Sequence, residues 1–320
     1  MAAVYEKSSM LSQNGKTQLA VHSWKNDALP VKGIVQLSHG MCDYCRRYSE
    51  MALYLADRGY LVCGNDHLGH GDSAPNPADR GYFAEKDGYL VAVDDLHALT
   101  LRLRAQYPGV PLVLFGHSMG SFFARVYAER LGENGADGYI FCGTGGPNPA
   151  AGVGIALINI LSKFKGERHR SKLITSVAFG SYNKRYQSAP TGYEWVTGDE
   201  EKLAEYVADE YCMFTFTLSA YRDLMRSLAA VNREAWAGRL NKALPYLLVC
   251  GADDPVGDYG KGVKTVYDRM LAAGCSHTQL KIYDGIRHEP HNERNRTQFF
   301  NDIACWLDAA VGGNAENKSV

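Results

Sequence analysis

From residue 33 onward, short and almost wholly apolar runs alternate with longer segments in which apolar positions recur every three or four residues. GIVQLSHG (33–40), YLVCGND (60–66), VPLVLFG (110–116) and GYIFCGTG (138–145) are runs of the first kind. Such runs, bounded by Gly or Pro, predict strands buried on both faces. Between them, RRYSEMALYLADRG (46–59), YLVAVDDLHALTLRLRAQYPG (89–109) and SMGSFFARVYAERL (118–131) carry helical spacing. Gly59 ends the first of these helices and Pro108-Gly109 stops the second. The rhythm returns late, with LPYLLVCGADD (244–254) as strand and loop, KGVKTVYDRMLAAG (261–274) as helix and TQLKIYDG (278–285) as strand. A last helix, 292–311, turns Phe299, Phe300, Ile303, Trp306 and Leu307 to one side. Ahead of the series, two partly alternating runs flank Asn14-Gly15 and predict a hairpin. Alternation of this kind predicts an α/β fold, with about eight strands in a mostly parallel sheet and helices on both faces. The polar tail GGNAENKSV is expected to fray.

Residues 147–242 break the rhythm. They open on Pro147 and Pro149, are rich in tyrosine and helical spacing, and contain no strand signal. They read as a helical cap inserted into a core formed by 1–146 and 243–320. Within the cap, Val153, Leu157, Ile160, Leu161 and Phe164 share a helical face, and Ile155 and Ile158 make the other faces apolar as well. The segment 150–172 then turns basic, with Lys163, Lys165, Arg168, Arg170 and Lys172. It fits either a helix dipping into a membrane surface or a helix packed over the core with a solvated basic end. YCMFTFTLSAY (211–221) offers more apolar surface, for cap packing or for lining an acyl tunnel. The acidic GDEEKLAEY (198–206) suits the first turn of a helix, or an anchor for an α-amino group.

Bulk composition narrows the class. The 320 residues are 46% hydrophobic, with 34 basic and 35 acidic side chains. That balance argues against nucleic acid as a partner. No secretory signal or membrane-spanning run is visible, so a cytoplasmic protein, at most peripheral to a membrane, is expected. With no secretory signal, the eight cysteines are expected to be reduced thiols. Nothing in the pattern speaks to oligomeric state.

The candidate chemistry centres on Gly116-His117-Ser118-Met119-Gly120, a G-x-S-x-G between a strand and a helix. A turn of this kind lifts a serine hydroxyl to the carboxyl edge of the sheet and aims a helix N-terminus at it. A serine needs a base, and the base needs an orienting acid. In this fold the chain order is Ser, Asp or Glu, His. Asp253 or Asp254 follows a late strand, and His288 or His291 follows the last one. His288 lies nearer its strand end. One oxyanion donor is expected from the backbone N–H of Met119, the residue after the serine.

Five stretches, LSHGMCDYCRRY, GNDHLGHGDSA, LFGHSMGSF, GADDPV and YDGIRHEPHNE, resemble the monoacylglycerol lipase and lysophospholipase branch of the serine α/β-hydrolases, which also contains serine aminopeptidase-like members. The resemblance covers both halves of the core. It implies Asp254 as the acid, His288 as the base and Met41 N–H as the second oxyanion donor. It further implies hydrolysis of a small acyl ester, such as a monoacylglycerol or lysophospholipid, through an acyl-enzyme, with no metal or organic cofactor. A peptidase or amidase, and a non-catalytic ligand-binding protein, are the alternatives. Cys42 and Cys45 depart from the family pattern and are expected to be structural or pocket-lining. Asp66, His67, His70 and Asp72 look like a metal cluster but fit a hydrogen-bonded polar loop. His39 and His117 are expected to pack and hydrogen-bond rather than act as the base.

Overall fold

Eight strands form one sheet in the order β1-β2-β4-β3-β5-β6-β7-β8. They are β1 (Val4–Leu11), β2 (Gln18–Lys25), β3 (Gly33–Ser38), β4 (Tyr60–Asn65), β5 (Leu112–His117), β6 (Gly138–Cys142), β7 (Tyr246–Gly251) and β8 (Thr278–Tyr283). Only β2 runs against its neighbours; β4-β3-β5-β6-β7-β8 is parallel throughout. This computed structural model describes residues 2–186 and 190–316. The helices are α1 (Ser49–Ala56), α2 (Gly88–Gln106), α3 (Met119–Leu131), α4 (Ala150–Lys165), α5 (Lys172–Phe179), α6 (Glu200–Ala208), α7 (Leu218–Val231), α8 (Lys261–Ala272) and α9 (Arg296–Glu316).

The apolar strand runs are divided between two cores, as a period of two requires. Leu112, Leu114, Tyr139 and Phe141 face one side, where α2, α3 and α8 pack. Val113, Phe115, Ile140 and Cys142 face the other, under α1 and α9. The core-facing residues expected for the last helix are all buried in this second layer. That helix runs to Glu316, through part of the tail expected to fray; residues 317–320 lie outside the described residues. The hairpin is present, but Leu11 pairs with Gln18, so a six-residue loop joins the strands rather than a two-residue turn. Asn14 shapes it through its side chain, whose Oδ1 accepts from Lys16 and Thr17 N–H, and Gly15 takes φ 71°.

Residues 143–245, between β6 and β7, hold α4 to α7. Among the described residues they contain no strand, only a single bridge between Arg170 and Thr217. No helix among the described residues is long and apolar enough to cross a membrane. All eight cysteines are free.

Candidate active site

The parallel strands bring their carboxyl ends to one edge. Ser38 of β3 lies beside Gly116 of β5, and Gly116 beside Phe141 of β6, so the turns after these strands are neighbours. Ser118 occupies the turn between β5 and α3 at φ 51° and ψ −120°, a conformation that costs a non-glycine residue about 1–3 kcal/mol. It is half-buried in an otherwise buried run. The flanking glycines permit the turn. A Cβ on Gly120 would lie 2.0 Å from the Ser38 carbonyl oxygen, and one on Gly116 would lie 2.4 Å from that of Gly120. Strand, turn and helix thus meet at distances no other residue allows. Ser118 N–H donates to the Cys142 carbonyl at 2.9 Å, which ties the turn to the end of β6.

Of the two candidate acids, the structure brings Asp254 to His288. His288 Nδ1 lies 2.9 Å from Asp254 Oδ1, and both side chains are buried. The same oxygen accepts Val256 N–H at 2.8 Å, while Oδ2 is buried without a partner among the described residues. Burial pulls the His288 imidazole toward neutrality, but the Asp254 charge and hydrogen bond more than offset this and hold its pKa above the ordinary value. The Asp253 side chain instead points to the surface, 3.9 Å from Arg185. His291 lies behind the site, stacked on Tyr48 with ring centroids 4.3 Å apart. Burial and the neighbouring His117 push His291 down to about 3, and neither ring nitrogen has a partner among the described residues.

Met41 and Met119, in the two expected turns, line the same cavity as Ser118, and among the described residues neither N–H is engaged by a protein acceptor. The Met41 loop is fixed by Asp43. Its Oδ2 accepts Gly40 N–H at 3.0 Å and Tyr48 O–H at 2.6 Å, and its Oδ1 accepts Tyr44 N–H at 2.8 Å. Arg47 bridges Asp43 at 2.9 Å and Glu289 at 2.6 Å. Burial alone would raise both carboxyls; the guanidinium holds Asp43 far below its usual range and Glu289 at about 2. His117 donates Nε2–H to the His288 carbonyl at 3.0 Å, and burial pushes it down to about 4. It is therefore neutral near pH 7 and bonded to backbone, as expected of it.

The other side chains singled out in the sequence brace the loops around the site or line its cavity. His39 donates to its neighbour's carbonyl and accepts His67 N–H. Asp66 accepts Cys45 N–H, Asp72 N–H and His22 Nε2, so its oxygens are occupied by the loop it braces. His22, rather than His67 or His70, joins Asp66 and Asp72, a grouping invisible in the local motif. Cys42 lines the cavity above the site, and burial raises its thiol; Cys45 is buried in the layer under α1. Arg170 is not part of a solvated basic end, because it donates to the carbonyls of Arg80, Thr215 and Ala78. The acidic segment is a helix start, with Asp199 accepting Glu201 and Lys202 N–H.

Ser118, Met41, Met119 and His288 open into one cavity of about 890 Å³ roofed by residues 145–228. Its size is near the upper end of ordinary ligand pockets, about 300–1,000 Å³. Phe122, Phe179, Leu224, Met225 and Leu228 give it apolar walls. Sequence reasoning missed Asp43, Arg47 and Trp195, which reaches the site from the cap. The only signal was an acid three residues after Gly40 and the aromatics Tyr193 and Trp195 in TGYEWVTG.

A family model described as Serine aminopeptidase, S33, matches residues 30–295. Human monoglyceride lipase is 25% identical over 306 residues, 91% of this chain and 88% of that protein. The monoacylglycerol lipase of Mycolicibacterium smegmatis is 26% identical over 299 residues, 92% and 94% of the two chains. The crystal structure of a highly thermostable carboxyl esterase from Bacillus coagulans, in complex with glycerol, is similar at a TM-score of 0.89 and 30% identity, covering 97% of this chain and 99% of that one. Strand order, nucleophile-type turn and these matches agree: the chain is a hydrolase of the α/β-hydrolase fold and belongs to the Hydrolase_4 family of serine aminopeptidases, S33, alongside relatives named as monoglyceride lipases.

Proposed function

We propose that this protein hydrolyses carboxylic esters of single-chain lipids, monoacylglycerols or lysophospholipids, with Ser118 as nucleophile, His288 as general base and Asp254 as its orienting acid. The observation that carries the reading is the buried 2.9 Å His288–Asp254 pair on the wall of the cavity into which the strained Ser118 turn opens. Ser118 Oγ attacks the ester carbonyl while His288 Nε2 takes its proton. The oxyanion that forms is held by the N–H groups of Met41 and Met119, each such donor being worth about 10²–10³ in rate. His288 then returns the proton to the leaving alcohol. Water, deprotonated by the same imidazole, cleaves the acyl-enzyme and regenerates Ser118. No step draws on a cofactor.

The peptidase reading is supported by the family's description but less by the cavity. Anchoring an α-amino group requires a free carboxylate; of the three that line the cavity, Asp43 and Glu289 are taken by Arg47, which leaves Asp258 alone for that role. The acidic start of α6 does not line the cavity. A ligand-binding protein has no use for the strain at Ser118 or the buried His–Asp pair.

The cap supports a peripheral membrane role. Val153, Ile160 and Phe164 on α4 and Leu173 on α5 are 55–81% exposed, an unusual cost for apolar side chains on a freely dissolved surface. Lys163, Lys165 and Lys172 on the same helices have no ion-pair partner among the described residues, which suits anionic headgroups. The cytoplasmic face of a membrane is the proposed place of action.

The test is a panel of monoacyl esters of graded chain length together with an aminoacyl amide, run on the wild type and on Ser118→Ala. Turnover of acyl esters, its loss in the variant, and fluorophosphonate labelling of the wild type alone are expected. Faster amide than ester turnover would overturn the substrate class, and an unlabelled wild type would overturn the mechanism.

A further inference from the structure

His288 is held from two sides. The core supplies Asp254. The cap supplies a strap, residues 194–198, laid along the loop that carries the imidazole. His288 N–H donates to the Trp195 carbonyl at 3.3 Å, and Glu289 N–H to that of Val196 at 2.9 Å. Arg287 donates to the carbonyls of Glu194 and Thr197 at 2.6 and 2.9 Å. In return, Thr197 Oγ1 donates to the Asn292 carbonyl at 2.9 Å and Gly198 N–H to Glu293 Oε1 at 3.0 Å. The strap places the indole of Trp195 against the imidazole, with ring centroids 5.1 Å apart and planes inclined at 43°. The indole is itself buttressed. Tyr182 packs edge-on to it at 5.0 Å, and its backbone N–H is held by Asn183 Oδ1 at 3.1 Å. Both Tyr182 and Trp195 line the cavity.

From this geometry we infer that Trp195 is a positioning residue supplied by the cap, which keeps the His288 ring on Asp254 and stabilises the imidazolium formed during turnover through its π face. The inference rests on His288 being the general base. The electrostatics are those of a cation within about 6 Å of an indole, in a site from which water is largely excluded. Imidazole becomes imidazolium when Ser118 attacks and reverts when the leaving alcohol is protonated. The π face attracts the charged form more strongly than the neutral one, which separates it from a passive wall.

The other groups facing the imidazole are Asp254 from the loop after β7, Glu289 from its own loop, Asp43 from the oxyanion loop and His117 from the end of β5. Asp43 and Glu289 stay charged and His117 stays neutral above pH 5. The acid limb of activity therefore reports His288.

Trp195→Leu keeps an apolar wall and removes the π face. The expected result is a fall in kcat of about threefold and a downward move of the acid limb of kcat/KM by roughly half a pH unit, because the protonated base loses a stabilising partner. Trp195→Phe should recover most of both. Should the leucine variant fail to fold, biosynthetic replacement of all four tryptophans by 5-fluorotryptophan gives an isosteric test. The limb should then move down in the wild-type background and stay fixed in Trp195→Phe. A limb unmoved in Trp195→Leu, with only KM or thermal stability changed, overturns the inference and leaves a wall residue. The fluorinated pair decides the same way. His288→Ala serves as the control: if it retains activity, the general-base reading itself fails.

Discussion

Replacing Asp254 by Asn removes one charge while leaving the side-chain volume nearly unchanged, and the hydrogen bonds of the carboxylate determine the cost. Oδ1 accepts two donors, His288 Nδ1–H and Val256 N–H, at 2.9 and 2.8 Å, whereas Oδ2 is buried and unpartnered. The Asn side chain has two orientations. With its oxygen at the Oδ1 position, both hydrogen bonds survive and the tautomer of His288 is kept, but the imidazolium loses its counter-charge. At roughly 4 Å and an effective dielectric of about 20 that attraction is about 4 kcal/mol, or on the order of 10³ in rate. With its NH₂ at that position, it confronts the Val256 N–H and forces His288 into the tautomer that cannot accept the Ser118 proton, a loss of about 10⁴. Either orientation predicts a fall in kcat of about 10³–10⁴ with KM little changed. Asp253→Asn touches a 43% exposed carboxylate 3.9 Å from Arg185, a contact of at most about 1 kcal/mol for stability and remote from the imidazole. Its activity should stay within about twofold. The assay is hydrolysis of a short soluble acyl ester, normalised to sites titrated with fluorophosphonate. The pH profile adds a second readout. Because Asp254 holds the imidazole above its ordinary value, the wild-type acid limb should lie above pH 6.5, and in Asp254→Asn it should move below. Equal losses in the two variants, or a loss under tenfold in Asp254→Asn, would refute the assignment.

Two further outcomes can be measured. His70 is buried between Phe83, Phe214 and Phe216, and burial pushes it down to about 3. Its neutral form is favoured in the fold, so its contribution is intact above the unfolded value of about 6.5 and is lost as pH falls toward 3. The stability advantage of wild type over His70→Phe should therefore shrink by about 2 kcal/mol between pH 7 and pH 5 in urea titrations; an unchanged gap would mean that the imidazole is solvated. The double variant Ile160→Ser, Phe164→Ser should bind anionic phospholipid vesicles at least about tenfold less tightly than wild type, with turnover of a short soluble ester within about twofold; unchanged vesicle binding would remove α4 from any membrane contact.

The Ser118 turn was legible because its parts impose residue types. Gly116 and Gly120 must be glycine where α3 crosses the ends of β3 and β5, and the serine between them must accept a strained φ. The parallel sheet was legible because β3 to β7 are buried on both faces and so read as almost wholly apolar runs. Choosing between Asp253 and Asp254 was not a matter of residue type. One side chain turns to Arg185 and the other to His288, a difference of backbone direction on which neighbouring aspartates carry no signal. The same holds for His22, whose partner Asp66 is 44 positions away, just past the end of its antiparallel neighbour β4.

The cap was least legible for a further reason. Its α4 and α5 put apolar side chains both inward, as at Ile158 and Ile174, and outward, as at Phe164 and Leu173, so no single face dominates and periodicity loses its meaning. More importantly, the cap holds the loop that carries His288 through the carbonyls of Glu194, Trp195, Val196 and Thr197. Main-chain acceptors are common to every residue, so the four contacts that matter most for placing His288 leave no mark on composition or spacing. Among the described residues, the strap's own side-chain hydrogen bonds lie at its two ends, where Glu194 accepts from Asn183, Thr191 and Gly192 and where Thr197 reaches Asn292. The covalent distance between strap and base, more than 90 residues, makes their pairing a property of the folded cap alone. A change that loosens the cap should therefore reach the chemistry through His288 before it reaches Ser118, whose turn is built from β5, α3 and the end of β6.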